Sequence, residues 1–218
     1  MKYGKNITTF KPEKLSKHNI DRLSLSLVPE GSKVLEIGCA TGFMGEYLIK
    51  KKNCQVFGVE LGRDEAEIAK TKLSRVVVGD IEDFQTFLQV KKFGKFDIIF
   101  ATALIEHLKD PWNALKTWKV LLKPKGAIII STSNIAHWSI RLSLLKGEFI
   151  YDKYGILDNT HLRFFTTKSF RKLVKDCGYT IEYSGLDAEG GGYPKVSLIG
   201  SKLFPNLFTY QMVIKAKT

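Results

Sequence analysis

Two acidic residues and two glycines have the spacing of a binding site for a nucleotide-like ligand. Gly38 and Gly42 interrupt an apolar run that ends at Ile37, and glycines at such a turn let a ligand lie directly against the backbone. Glu36 precedes the turn, and Glu60 lies 24 positions beyond Glu36. In α/β nucleotide sites an acid about 20 residues past the glycine turn binds the ribose hydroxyls. The pattern therefore predicts a ligand that contains ribose.

The acid before the turn indicates which kind of ribose ligand fits. A dinucleotide site has the pattern GxGxxG and accommodates a pyrophosphate, whereas this chain has Gly38-x-Ala40-x-Gly42. Glu36 is a poor neighbour for a pyrophosphate and a good one for an ammonium group. Here the chain resembles the class I S-adenosylmethionine-dependent methyltransferases, whose first motif reads acid-x-Gly-x-Gly-x-Gly. Taken alone, the motif also fits a structural turn in another α/β protein.

The resemblance implies S-adenosyl-L-methionine as the cofactor and S-adenosyl-L-homocysteine as its product. It assigns the ribose hydroxyls to Glu60, the adenine amino group to Asp80, and the face of the adenine ring to Ile81. The full set of cofactor contacts that it implies is Glu36, Gly38, Cys39, Ala40, Gly42, Glu60, Leu61, Asp80, Ile81, Ala101 and Thr102.

Apolar runs and turn residues predict the elements that position these side chains. Strands are expected at 34–37, 55–61, 75–78, 96–100, 127–131, 179–183 and 209–216. Helices are expected at 19–28, through 46–51, from 63 or 64 to about 73, at 111–122 and at 168–177. The resemblance covers nearly the whole chain. It implies an α/β, Rossmann-like seven-stranded sheet with helices on both faces and an antiparallel last strand.

We expect residues 1–218 to form one methyltransferase domain. Residues 1–30 would be an amino-terminal arm and helix, with 1–17 either mobile or folded over the site. Residues 134–167 are too long for a plain connection, and ordered loops over strand ends are usually lids or acceptor pockets. This insertion resembles one in bacterial and archaeal methyltransferases associated with sugar, polysaccharide or small-metabolite modification.

Methyl transfer to oxygen or nitrogen needs a base that removes a proton, most often histidine or a carboxylate. The candidates are His107, which follows the fourth predicted strand, and His137 and His161 in the insertion. Each has a structural alternative, as a loop cap or as part of a hydrogen-bond network. The candidate acceptor contacts are Tyr154, Asp158 and Arg163.

No metal is expected at this site. The ubiquinone-type O-methyltransferases carry Glu-x-x-Glu-His in the region of His107, and some members hold a divalent metal there. Ala103 replaces the first acid of that motif in this chain. The three cysteines show no metal-binding spacing and are interpreted as buried free thiols of a cytoplasmic protein.

The acceptor expected from these patterns is a sugar, a phenol or quinol, or a related metabolite. The net charge of +12 favours acidic partners, so a methyltransferase acting on nucleic acid is an alternative. It is not favoured, because residues 101–104 lack the Asn/Asp-Pro-Pro-aromatic tetrad of the amino-methylating enzymes. A further alternative is a non-catalytic, cofactor-binding partner subunit.

No signal-peptide run or transmembrane segment is predicted. The stretch 138–146 has helical amphipathic character. It is expected to pack on the domain, and peripheral membrane contact and dimerisation remain open. The expected oligomeric state is a monomer or a homodimer.

Overall fold

The centre of the molecule is a seven-stranded sheet. The computed structural model describes residues 10–187, 199–200 and 203–218. The strands are β1 (Lys33–Ile37), β2 (Gln55–Glu60), β3 (Arg75–Val78), β4 (Phe96–Ala101), β5 (Leu122–Ser133), β6 (Thr180–Asp187) and β7 (Gln211–Lys217). Their order in the sheet is β3-β2-β1-β4-β5-β7-β6. β7 runs antiparallel to both of its neighbours, and the other pairs are parallel. The predicted fold class is confirmed.

Helices cover both faces of this sheet. They are α1 (Ile20–Ser26), α2 (Phe43–Lys52), α3 (Arg63–Lys70), α4 (Phe84–Lys91), α5 (Pro111–Trp118), α6 (Trp138–Leu145), α7 (Thr167–Asp176) and α8 (Pro205–Phe208). Short 3₁₀ helices span Pro12–Lys14, Ile105–His107 and Lys119–Leu121. Among the described residues, no helix is long and apolar enough to cross a membrane.

Alternation along the strands divides the core into two apolar layers. Val34 packs with Leu25 of α1 and Leu48 of α2, whereas its neighbour Leu35 packs in the layer that contains Trp118 of α5. Successive side chains of a strand point to opposite faces of the sheet. The buried strands therefore need apolar residues at consecutive positions, as the sequence provides.

Local capping explains where several helices begin. The Asn19 side chain accepts hydrogen bonds from the first backbone N–H groups of α1, and Asp110 caps α5, where Pro111 occupies the first turn. Thr166 and Ser169 form a reciprocal capping box at the start of α7. Each cap satisfies donors that have no partner within the helix.

The structure corrects several predicted boundaries. β5 begins at Leu122 rather than at 127, because Leu122 pairs with Phe96 before a register shift at the turn that contains Lys125. Lys125 has a positive φ of 68°. α5 ends at Trp118, and its expected last turn is a 3₁₀ helix. The helix α4 was not predicted.

The two ends of the insertion are joined at the sheet. The backbone N–H of Ile135 donates to the carbonyl of Phe165 at 2.9 Å, and that of Asn134 donates to Tyr210 at 2.9 Å. Residues 134–167 thus leave and re-enter the domain at one place, beside the carboxyl end of β5. At the amino terminus, Phe10 packs edge-on against Phe43 of α2, with 4.9 Å between ring centroids. Residues 1–9 of the expected arm lie outside the described residues.

Candidate cofactor and acceptor site

The turn between β1 and α2 has the backbone that its glycines predict. Gly38 and Gly42 have φ values of 72° and 73°, a region in which glycine has no steric penalty. Ala40 also has a positive φ, of 47°. Its backbone N–H donates to Oε2 of Glu60 at 2.7 Å, which holds this left-handed residue in place.

A cavity of about 400 Å³ lies at the carboxyl ends of β1, β2 and β3. Its lining includes Gly38, Glu60, Leu61, Asp80, Ile81 and His107. Parallel strands present their carboxyl ends at one edge of the sheet, where ligands of α/β folds bind. The structure therefore brings the predicted ribose and adenine contacts together around one space.

Three acids line this cavity, and two of them, Glu60 and Asp80, keep acceptor capacity for a ligand. Glu60 accepts one backbone N–H at each carboxylate oxygen, from Ala40 at 2.7 Å and from Gly62 at 2.8 Å. Asp80 accepts the N–H of Glu82 at 2.9 Å and lies 3.2 Å from Nζ of Lys109. A carboxylate has about four lone-pair positions, so both acids can accept further hydrogen bonds.

Glu36 lies behind the turn rather than in the lining of this cavity. It is 4% exposed, and its Oε2 has no hydrogen-bond partner. Burial raises the pKa of Glu36 to about 8, opposed by a hydrogen bond from the Gly45 backbone and supported by the charge of Glu60. The side chain is thus a buried acid at the first turn of α2.

The other predicted cofactor contacts surround the turn without lining this cavity. Cys39 is buried, as are Cys54 and Cys177, and all three are free thiols. Ala101 is fully buried at the end of β4, and the hydroxyl of Thr102 lies 3.5 Å from Sδ of Met44. These residues therefore support the site from the core side.

A second cavity, of about 140 Å³, adjoins the first at His107. The loop after β4, the end of β5, the insertion and the start of β7 form its walls. Members of the lining that bear on the chemistry are Glu106, His107, Ser133, Tyr154, Asp158 and His161. We call the larger space the cofactor cavity and the smaller one the acceptor cavity. His107 lines both.

A chain of hydrogen bonds orients the His107 ring. The Thr160 hydroxyl lies 2.5 Å from Oδ1 of Asp158, to which it donates, and 3.2 Å from Nδ1 of His107. The Thr160 carbonyl lies 3.3 Å from the same nitrogen. A carbonyl oxygen only accepts, so these contacts favour the tautomer with the proton on Nδ1. Nε2 of His107 then carries the lone pair.

Asp158 accepts the last hydrogen bond of this series, from the Thr160 hydroxyl. Burial acts to raise the pKa of Asp158, but the hydrogen bonds from the Thr160 hydroxyl and backbone outweigh it, and the pKa is lowered. Asp158 therefore stays ionised and accepts the hydrogen bond of the Thr160 hydroxyl. The arrangement resembles the way a carboxylate orients a catalytic imidazole in other enzymes.

Comparisons with known proteins agree with this geometry. The family model described as a methyltransferase domain matches residues 9–184. The chain belongs to the class I S-adenosylmethionine-dependent methyltransferases. Its cofactor is accordingly S-adenosyl-L-methionine, and the lone-pair positions of Glu60 and Asp80 fit a ligand with ribose hydroxyls and an adenine amino group.

Individual relatives are distant. The methyltransferase is 28% identical over 142 residues to a ubiquinone biosynthesis O-methyltransferase of Acinetobacter baylyi, a match that spans 61% of this chain and 59% of the relative. It is 30% identical over 176 residues to the enzyme of that name from Vibrio campbellii, covering 75% and 72% of the two chains. A methyltransferase structure from Archaeoglobus fulgidus has a TM-score of 0.62 at 20% identity, covering 90% of each chain.

His161 lies beside His107, with 4.8 Å between ring centroids. Its Nδ1 donates to the Ile156 carbonyl at 3.0 Å, and its Nε2 lies 4.0 Å from Oε1 of Glu106. The ring therefore both orders the insertion and lines the acceptor cavity of the methyltransferase.

His137 and Arg163 lie outside the linings of both cavities. His137 is fully buried and caps α6, with Nδ1 2.8 Å from the Ser139 hydroxyl. Burial lowers its pKa to about 4, so the ring is neutral at pH 7. The Arg163 guanidinium donates to the Lys109 carbonyl at 2.6 Å. The geometry of both is that of structural residues.

Sequence reasoning assigned no site role to Asp21, Glu106, Ser133 and Tyr210, which also line the acceptor cavity. Ser133 and Tyr210 come together because β7 pairs with β5. No local pattern places Asp21 of α1 there. Within the described residues, no group of three His, Cys, Asp or Glu side chains is arranged to hold a metal ion, and the absence of a metal stays a prediction.

Proposed function

We propose that the methyltransferase transfers a methyl group from S-adenosyl-L-methionine to an oxygen or nitrogen atom of a small molecule held in the acceptor cavity. The observation that carries this proposal is the position of His107, which lines both cavities. A base at that boundary is placed where an acceptor atom must lose its proton as it approaches the methyl group.

The size of the acceptor cavity supports a small acceptor. A cavity of about 150 Å³ holds a molecule the size of benzene, and the acceptor cavity measures about 140 Å³. The reacting part of the acceptor is therefore about one six-membered ring, such as a sugar, a phenol or a quinol. The relatives named as ubiquinone biosynthesis O-methyltransferases are consistent with a ring of this kind.

In this mechanism, separate residues of the chain bind the cofactor and remove the proton of the acceptor. Glu60 would bind the ribose hydroxyls, Asp80 the adenine amino group, and Ile81 one face of the ring. The cofactor supplies an electrophilic methyl group on a sulfonium. His107 would accept the acceptor's proton at Nε2 while Thr160 holds its Nδ1. Enclosure by the insertion would keep water from the reacting atoms.

We also propose that residues 1–218 form a single domain in which the insertion provides acceptor contacts. Four residues of the insertion line the acceptor cavity, namely Tyr154, Gly155, Asp158 and His161. The insertion is tied to the sheet at both ends. These contacts support a wall of the acceptor site built from residues 134–167.

The test is methyl transfer from cofactor labelled in its methyl group to phenols, catechols, sugars and small amines. We expect label in at least one small acceptor with the wild-type chain and loss of that label with His107→Gln. Transfer to RNA or DNA but to no small molecule would instead support the nucleic-acid alternative. In that case binding should weaken steeply as salt is raised.

A further inference from the structure

The acceptor cavity is acidic in a chain that is otherwise basic. The chain carries a net charge of +12, yet three carboxylates line this cavity, from Asp21, Glu106 and Asp158. The described residues that form its wall include no lysine or arginine. The charge at the acceptor site is therefore opposite in sign to that of the whole molecule.

Glu106 is a buried carboxylate with an incomplete set of hydrogen bonds. It is 2% exposed, and its Oε1 accepts a long hydrogen bond of 3.3 Å from the Ser133 backbone. Its Oε2 is buried without a hydrogen-bond partner. A carboxylate oxygen that is buried without a donor is unfavourable. A ligand that brings N–H donors and positive charge into the cavity would remove this penalty.

His161 does not supply that donor in the tautomer that its contacts favour. Its Nδ1 proton is directed to the Ile156 carbonyl at 3.0 Å. Nε2 lies 4.0 Å from Oε1 of Glu106, beyond hydrogen-bonding distance. In the neutral ring this nitrogen carries a lone pair, which faces another acceptor.

Asp158 adds a second negative charge to the cavity. It accepts hydrogen bonds from the Thr160 backbone and hydroxyl at one oxygen, and these outweigh the effect of burial and lower its pKa. Burial raises the pKa of Asp21 to about 6, the charge of the amino terminus opposes this shift, and the Asp187 carboxylate adds to it. An anionic acceptor, such as a phosphate or carboxylate, would lie against the carboxylates of Glu106 and Asp158.

We propose that the acceptor is a small amine, held as its ammonium ion by Glu106 in the acceptor cavity. This inference rests on the proposed function, because it names the substrate class of the same site. It concerns how the acceptor is held, whichever of its atoms receives the methyl group. The cavity volume of about 140 Å³ restricts the bound part to about six or seven non-hydrogen atoms.

The test is calorimetric titration of the full chain at pH 7.5 with three probes that share one ring. Cyclopentylamine, cyclopentanol and cyclopentanecarboxylate differ mainly in charge. Each is titrated with and without saturating S-adenosyl-L-homocysteine. We expect the amine to bind at least tenfold more tightly than the alcohol and the carboxylate not to bind.

Substitutions test whether Glu106 causes the preference for the amine. Glu106→Gln keeps the shape and removes the charge, and it should weaken amine binding at least tenfold while leaving S-adenosyl-L-homocysteine binding unchanged. Glu148→Gln, at an exposed acid of the insertion, is the matched control and should have no effect. If Glu106→Gln does not fold, Asp158→Asn should weaken amine binding about threefold.

Three results would overturn the inference. They are equal binding of alcohol and amine, amine binding unchanged in Glu106→Gln, and no binding of the amine with or without S-adenosyl-L-homocysteine. Failure of the proposed function would show separately, as absence of S-adenosyl-L-homocysteine binding or of any methyl transfer.

Discussion

The imidazole rings of His107 and His161 lie 4.8 Å apart, centroid to centroid, and meet nearly edge-on. His107 lines both cavities, whereas His161 lines only the acceptor cavity. Nδ1 of His161 is engaged by a carbonyl of the insertion, and Nδ1 of His107 is engaged by Thr160. The two rings therefore have different surroundings: His161 is bonded within the insertion, and His107 lies at the boundary of the two cavities, where we propose that it acts as the base.

His107→Gln should abolish most turnover without weakening cofactor binding. General base catalysis contributes roughly 10²- to 10⁴-fold to a rate, so we expect kcat to fall within that range. The Kd for S-adenosyl-L-methionine should stay within about threefold, since we assign the ribose and adenine contacts to Glu60 and Asp80 rather than to His107. Steady-state kinetics and calorimetry measure the two quantities. His18→Gln, away from the site, is the control, and an unchanged kcat in His107→Gln would exclude His107 as the base.

Thr160→Val should lower kcat about tenfold, because His107 loses a hydrogen bond that fixes its tautomer. The effect should disappear in the background of His107→Gln, since residues that act through one another are not additive. Equal losses from Thr160→Val in both backgrounds would indicate that the hydroxyl acts only on the fold of the insertion.

Replacement of His137 should make the protein more resistant to mild acid. Burial lowers the pKa of His137 to about 4, from an ordinary value of 6.5. The unfolded chain therefore binds a proton first as the pH falls, and stability is lost between about pH 6.5 and 4. For complete burial the loss is on the order of 3 kcal/mol.

Chemical denaturation at pH 7 and pH 4.5 measures this difference. His137→Asn keeps a side chain that can cap α6 and should show a smaller loss of stability between the two pH values. His18→Asn should behave like the wild type. An identical loss in His137→Asn and the wild type would show that His137 is not buried in its neutral form.

Glu36→Gln should make the free energy of unfolding less dependent on pH between about 4.5 and 8. Burial raises the pKa of Glu36 from 4.5 to about 8, so the folded state holds its proton over a range in which the unfolded state has lost it. The free energy of unfolding of the wild type should therefore fall as the pH rises from about 4.5 to 8, by a few kcal/mol.

The glutamine variant removes this titration, so its unfolding free energy should change less between pH 5.5 and pH 8.5. Glu30→Gln, at an exposed position, serves as the control. Parallel profiles for Glu36→Gln and the wild type would contradict a protonated Glu36 in the folded protein.

Much of the cofactor cavity could be predicted from the sequence because it depends on local patterns. The turn at Gly38 and Gly42, the acid at Glu60 and the acid at Asp80 each follow a parallel strand, and such strand ends share one edge of a sheet. Because strands and helices alternate along the chain and β1, β2 and β3 are parallel, these side chains are expected to lie near one another.

The acceptor cavity could not be predicted in the same way, because its walls come from distant parts of the chain. Glu106 is buried against the end of β5, and Asp21 reaches the cavity from α1. His137 was a candidate base by residue type alone, and only its burial and its contact with Ser139 indicate a cap. The helix α4 follows directly on the turn after β3, and the polar residues of that turn, up to Asp83, indicated only a loop.

The most direct test of the account is calorimetric titration of the wild type and of Glu60→Ala with S-adenosyl-L-methionine and S-adenosyl-L-homocysteine. A charge-assisted hydrogen bond contributes about 1.5–3 kcal/mol, so loss of even one ribose contact should weaken both ligands by roughly 10- to 150-fold. Glu67→Ala, at an exposed acid of the adjacent helix, should bind as the wild type does, and nicotinamide dinucleotide should not bind. Wild-type affinity in a folded Glu60→Ala variant would contradict the placement of the cofactor at the carboxyl ends of β1, β2 and β3.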